Sequence, residues 1–257
     1  MKKMRIDLNC DLGESFGTYT LGNDEMVLRY ITSANIACGF HAGDPTVMRK
    51  TIQLANQANV AIGAHPGLPD LVGFGRRDMN IAADDVFNLV TYQIGALVAL
   101  AKVESSEVQH VKPHGALYNM ANKSAGIATA IVKAVKSVSS NLLLYALSGS
   151  LLAKIGKDHG LTVVQEVFAD RTYLGDGTLT PRTEPNSVLH DTQLVTERII
   201  RMIKDGKVQA ITGEDITIAA DTICVHGDNA NALEFVETLN KVLMENQIIM
   251  KSPSDRI

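Results

Sequence analysis

Tryptophan is absent from the 257 residues, and aromatic residues together make up only 5%. Sugar rings are usually held against aromatic faces, so this scarcity weighs against a carbohydrate site. Cysteine is almost as scarce. Cys10, Cys38 and Cys224 form no CxxC pair and leave an odd count, which fits small buried side chains in a reduced, cytoplasmic protein better than a disulfide framework. No dense Lys/Arg run interrupts a net charge of −4, so no nucleic-acid partner is expected. The most apolar window, LVTYQIGALVALA (89–101), is too short and too polar for a bilayer span, and MKKMRIDLNCD turns polar too early for a signal peptide. Neither GxxxxGK[ST] nor a GxGxxG turn after the first strand is present; Gly156-Lys157 and Gly206-Lys207 run into Asp158 and Val208. No linker, repeat or low-complexity tract divides the chain, which reads as one domain over 1–257.

What the sequence does have is alternation. Short β-like runs (MRIDLNC, SANIACGF, VAIGAH, HVKPH, NLLLYALS, TVVQEVFA, DTICVHG) are separated by patterns with apolar residues three and four apart. Helices are expected after the Asp44-Pro45 start, over 81–103, 122–138, 149–159, 187–205 and 230–246. Strand–helix alternation predicts a parallel sheet. About seven such units approach the eight of a closed barrel, giving an α/β fold of irregular (β/α)-barrel type. Two segments break the rhythm: 170–186, with a small hairpin at Asp176-Gly177, and 208–220, which alternates like a second hairpin.

In parallel α/β folds ligands bind at the carboxyl ends of the strands. His41, His65, His114 and His226 each follow an apolar run and have a glycine within two residues; Asp11 and Asp170 close the first and sixth strands, and Asp228 follows the last. A strand-end histidine can equally serve neighbouring backbone, but four in one kind of setting point to a shared cause. Asp11, His65, His114 and Asp170 are the candidate catalytic residues, either aspartate serving as base. His41, Lys112, Arg171, Arg182 and His226 are the candidate substrate residues, since cations suit carboxylate or phosphate. Arg76 and Arg77 lie on the glycine-rich loop GFGRR, where pairing with Asp70 or Asp78 is the structural alternative. Asp44 reads as a helix cap, and Glu14 as either a loop or a functional carboxylate. No HxH or HExxH spacing marks a metal; were a divalent metal present, His41, His65, His114 and Asp11 would be its ligands.

The blocks DLNCDLGESFG, NIACGFHAGDP, GAHPGLPDLVGFGRR, VKPHGALYN, EVFADRTYLGDGTLTPR and CVHGD, in this order from about residue 4 to residue 250, resemble the signatures of the LamB/YcsF family. That resemblance implies an irregular barrel akin to the glycoside hydrolase/deacetylase barrels. It also implies a share in 5-oxoprolinase activity as the enzyme's A component: ATP-dependent opening of 5-oxo-L-proline to L-glutamate, with ADP and phosphate released and ATP as co-substrate. Two further subunits are implied as partners. The family has an aromatic such as Trp near Tyr19 and Gly-Ala where Asn186-Ser187 stand. The rival readings are a metal-dependent carbohydrate hydrolase or deacetylase, and a non-catalytic subunit that shapes a partner's active site.

Overall fold

The computed structural model describes residues 4–225 and 232–256. Ten strands appear in chain order: Arg5–Leu12 (β1), Ser33–Ala37 (β2), Ala61–His65 (β3), Val108–Val111 (β4), Leu143–Leu147 (β5), Val163–Phe168 (β6), Lys207–Gln209 (β7), Asp215–Thr217 (β8), Thr222–Val225 (β9) and Ile249–Met250 (β10). Seven of them, β1 to β6 and β9, pair in parallel, and β1 pairs with both β2 and β9, which closes the sheet into a barrel. The expected seven-unit barrel is therefore present. The helices are Asp24–Val27 (α1), Pro45–Gln57 (α2), Ala83–Val103 (α3), Gly115–Ala121 (α4), Ala125–Val138 (α5), Leu151–Asp158 (α6), Thr192–Asp205 (α7) and Ala232–Glu245 (α8). Asp44 caps α2, accepting from the backbone N–H of Thr46 and Val47 at 2.8 and 2.9 Å, as its place before a proline predicts.

The two irregular segments fold as anticipated. β7 and β8 form the antiparallel hairpin, and Tyr173 bridges Leu179 across the Asp176-Gly177 turn. Asn186 takes a left-handed φ of 59°, and asparagine is among the residues that tolerate this region. One expectation is corrected. The apolar window at 89–101 belongs to a 21-residue helix, α3, which by length and composition alone could cross a membrane. It packs instead in the barrel's outer layer, burying Val86, Val90, Ile94, Leu97 and Ala101, and its buried Gln93 brackets the backbone N–H and C=O of Gly67 at 2.9 Å each.

The pleat of β1 sorts its side chains by parity. Ile6, Leu8, Cys10 and Leu12 join the apolar layer beneath the helices, while Asp7, Asn9 and Asp11 share the other face and turn into the barrel. Ser33 and Asn35, His110 and Glu166 extend this face on neighbouring strands, so a hydrogen-bonded polar column runs through the interior beside a small apolar cluster of Leu143, Tyr145 and Val164. At its base Asp7 accepts from Thr32, Ser33, Tyr145 and Thr222. At mid-height Asn9 donates to Thr222 at 2.8 Å and accepts from Asn35 at 2.7 Å, and His110 donates to Asn35 at 2.8 Å while stacking on Tyr145. Most buried polar groups in proteins are partnered in this way.

Candidate functional site

At the top of the column Lys112 lies 3% exposed. Its ammonium reaches Asp11 Oδ1 at 2.9 Å, Glu166 Oε1 at 2.8 Å, Asn9 Oδ1 at 3.1 Å and Cys224 Sγ at 3.1 Å. Tyr118 donates to the other Glu166 oxygen at 2.6 Å. Burial disfavours the charged lysine, but Asp11, Cys224 and Glu166 outweigh it and raise its pKa well above the ordinary value. This corrects the reading of Lys112 as a pocket cation awaiting an anionic substrate: its charge is already committed to two carboxylates.

Asp11 connects this column to the histidines. Its Oδ2 lies 3.3 Å from His65 Nε2, and His65 Nδ1 donates to the Lys112 carbonyl at 2.7 Å. Burial opposes ionisation of Asp11, yet His65 and Lys112 hold its pKa well below the usual carboxylate range. His65 Nε2 lies 2.9 Å from His114 Nδ1, and His114 Nε2 donates to the Phe74 carbonyl at 2.8 Å. Burial first, then His65, pulls the His114 pKa down to about 3. His41 stacks on His114 with ring centroids 3.7 Å apart, and burial keeps it neutral as well. Neither His41 nitrogen has a hydrogen-bond partner among the described residues. Glu14, His41, His65 and His114 bring one ligand atom each within 4.8 Å of one another, a set able to hold a metal.

The loops explain this convergence. Gly75, at φ 64°, hands its carbonyl to the Ala116 N–H at 2.8 Å; a Cβ there would lie 2.7 Å from His41 Cβ and 2.9 Å from His114 Cδ2. Gly115, at φ 53°, begins α4 directly against the Gly75 carbonyl, where a Cβ would sit 2.6 Å from the oxygen. Glycine follows His114 because the loop carrying Phe74 must close down on it.

The arginines divide. Arg77 is taken by Asp70, so the pairing alternative holds for it. Arg171, 7% exposed, donates to the carbonyls of Thr180 and Ser187 and orders the long loop after β6, a use that reading it as a substrate cation did not foresee. Burial and then Arg182 lower its pKa to about 10, and Arg76 adds in the same direction, so three guanidinium groups influence one another near this loop. Asp170 interacts with Arg171 and Arg198, whereas Asp11 is the aspartate joined to the histidines. His226 and Asp228 lie outside the described residues. Sequence reasoning missed Glu166, Asn9, Asn35 and Tyr118. Polar residues two apart in RIDLNCD and SANIA were the available signal. The three cysteines are free and buried, as anticipated.

Known proteins resemble this chain along nearly its whole length. The 5-oxoprolinase A component of Oceanobacillus iheyensis is 55% identical over 244 residues, covering 95% of each chain. That of Pyrococcus abyssi is 56% identical over 245 residues, covering 95% of this chain and 96% of the relative. The crystal structure of a lactam utilization protein from Thermus thermophilus superposes with a TM-score of 0.92 at 42% identity, covering 96% and 99% of the two chains. A more distant barrel from Enterococcus faecalis, at TM-score 0.58 and 13% identity over 99% of each chain, shares the fold alone. The sequence profile of one family matches residues 6–256, and the chain belongs to it: the LamB/YcsF family.

Proposed function

We propose that this chain is the A component of a 5-oxoprolinase that opens 5-oxo-L-proline to L-glutamate at the expense of ATP. Identity above 50% along at least nine-tenths of relatives bearing that name carries the reading. Two further subunits complete the enzyme, ATP is co-substrate of the complex, and the three unpaired buried cysteines suit a cytoplasmic setting.

A lactam carbonyl is a poor electrophile. Phosphoryl transfer from ATP to its oxygen makes the ring carbon attackable; one water opens the C–N bond and a second releases phosphate, giving glutamate, ADP and phosphate. The opening step needs a base for water and an acid for the departing nitrogen. Asp11, His65 and His114 bring three acid–base groups within 3.3 Å of their neighbours at the strand ends, Asp11 kept ionised and His114 kept neutral by their surroundings. Arg76, Arg171 and Arg182 favour a small anion, the substrate carboxylate or a phosphate.

Reconstitution tests the reading. With partner subunits, ATP and 5-oxoproline, the wild type should release glutamate and phosphate together, and Asp11→Asn should be slower by about 10²-fold or more. The chain alone should hydrolyse little ATP. Equal rates with and without partners would overturn the division of labour, and an unimpaired Asp11→Asn complex would remove Asp11 from the chemistry.

A further inference from the structure

His65 Nδ1 and His114 Nε2 both point at backbone carbonyls, which only accept hydrogen bonds. Each ring nitrogen there must carry the proton. In neutral rings the remaining nitrogens, His65 Nε2 and His114 Nδ1, are therefore lone pairs, and they confront one another at 2.9 Å. A third lone-pair donor, Asp11 Oδ2, lies 3.3 Å from His65 Nε2. Three electron-rich atoms crowded together in a buried site repel unless a positive centre lies between them.

We propose that Asp11, His65 and His114 form a two-histidine, one-carboxylate binding site for a divalent transition-metal ion of the zinc class. Bonds of about 2.1 Å to such an ion place neighbouring ligand atoms about 3.0–3.4 Å apart, close to the 2.9 and 3.3 Å that already separate His65 Nε2 from His114 and Asp11. Imidazoles that bind metals almost always donate their other N–H to a carbonyl or carboxylate, which fixes the tautomer; both rings do so here. Glu14, whose carboxylate lies within 4.8 Å of ligand atoms of His65 and His114, is placed to add a fourth ligand. His41 does not join in this pose. It lies parallel to His114 at an interplanar angle of 3°, and the in-plane lone pairs of parallel stacked rings cannot meet at one ion. Its buried, unpartnered nitrogens mark instead a polar wall beside the ion. The inference rests on side-chain geometry and holds independently of the lactam reading.

The full chain, stripped with a chelator and dialysed, is titrated with Co²⁺ while its visible d–d absorption is followed, then with Zn²⁺ by calorimetry. The wild type should take up one ion per chain, and its Tm should rise with added metal. His65→Gln, His114→Gln and Asp11→Asn should each bind roughly 100-fold more weakly or not at all, while His41→Gln should bind like the parent. Wild-type uptake below about a tenth of an equivalent would overturn the site, leaving an added proton shared by the two rings as the positive centre. So would variants of the three ligands that bind like the parent, or a loss of binding confined to His41→Gln. Wild-type stoichiometry decides the matter even if a ligand variant fails to fold, and no lactam turnover enters the reading.

Discussion

Lys112 shows how a residue's surroundings decide its role. A lysine beside a strand-end histidine suggests a hand held out to substrate; here the ammonium is enclosed between Asp11 and Glu166 and exposes almost nothing. Removing one member of a buried ion network strands the others without compensation. Lys112→Met should therefore cost about 3–5 kcal/mol in urea-denaturation stability, since it leaves the buried Glu166 and the partly buried Asp11 without their shared cation. The double change Lys112→Met with Glu166→Gln should recover part of that loss, because one uncompensated charge goes with it. A single variant as stable as the parent would show that Asp11 and Glu166 relax outward to water.

Among the elements, the 66–80 loop and the start of α4 do the positioning, and their contact depends on Gly75. An alanine there meets two penalties: a left-handed φ, and a Cβ driven toward His41 and His114. Gly75→Ala should lower stability by more than about 1 kcal/mol and reduce turnover of the reconstituted enzyme, whereas Gly177→Ala, equally left-handed but with open space around its Cβ, should cost stability without touching turnover. Equal activity losses in the two variants would detach the loop from the site.

The same elements show how far the sequence can be read. The order of strands and helices was legible because the hydrophobic period changes from two to near four at each junction, and the Asp44-Pro45 cap announced its own helix. The histidines at strand ends were legible because a parallel barrel leaves little choice of where function sits. The register between strands was not legible. Nothing local to RIDLNCD states that Asp11 lies beside Asn35 of β2, or that Glu166, far away in sequence, shares its lysine. The structural part of Arg171 was not legible for a related reason: its partners are carbonyls of a loop whose path depends on the arginine itself.

At the scale of the whole molecule, the polar interior should leave a signature in acid. His110, 1% exposed, has its pKa pushed down to about 3 by burial, with the nearby Lys112 and His65 adding to the effect. Its folded pKa lies below the unfolded value near 6.5, so between those limits the unfolded chain binds the extra proton. The stability this group contributes is present above pH 6.5 and is lost as pH falls from there toward 3. Each such group adds about 1.4 kcal/mol per pH unit to the slope. Denaturation from pH 7 to pH 4.5 should show wild-type stability dropping steeply, and His110→Gln should flatten the curve by close to one proton. An unchanged slope would mean that His110 is already protonated in the folded barrel.

The sorting of β1 into apolar and polar faces carries one more implication, for how the chain knows it has closed correctly. In a barrel filled with interchangeable aliphatic side chains, a strand displaced by one residue still puts grease against grease. Here the same slip would turn Ile6, Leu8 and Cys10 into a shaft of amides and carboxylates, and press Asp7, Asn9 and Asp11 under the helices. Every one-residue misalignment is penalised twice, on both sides of the wall. The pleat thus works as a parity check: the molecule proofreads its own register, and the residues that do the checking are the ones that end at the candidate site.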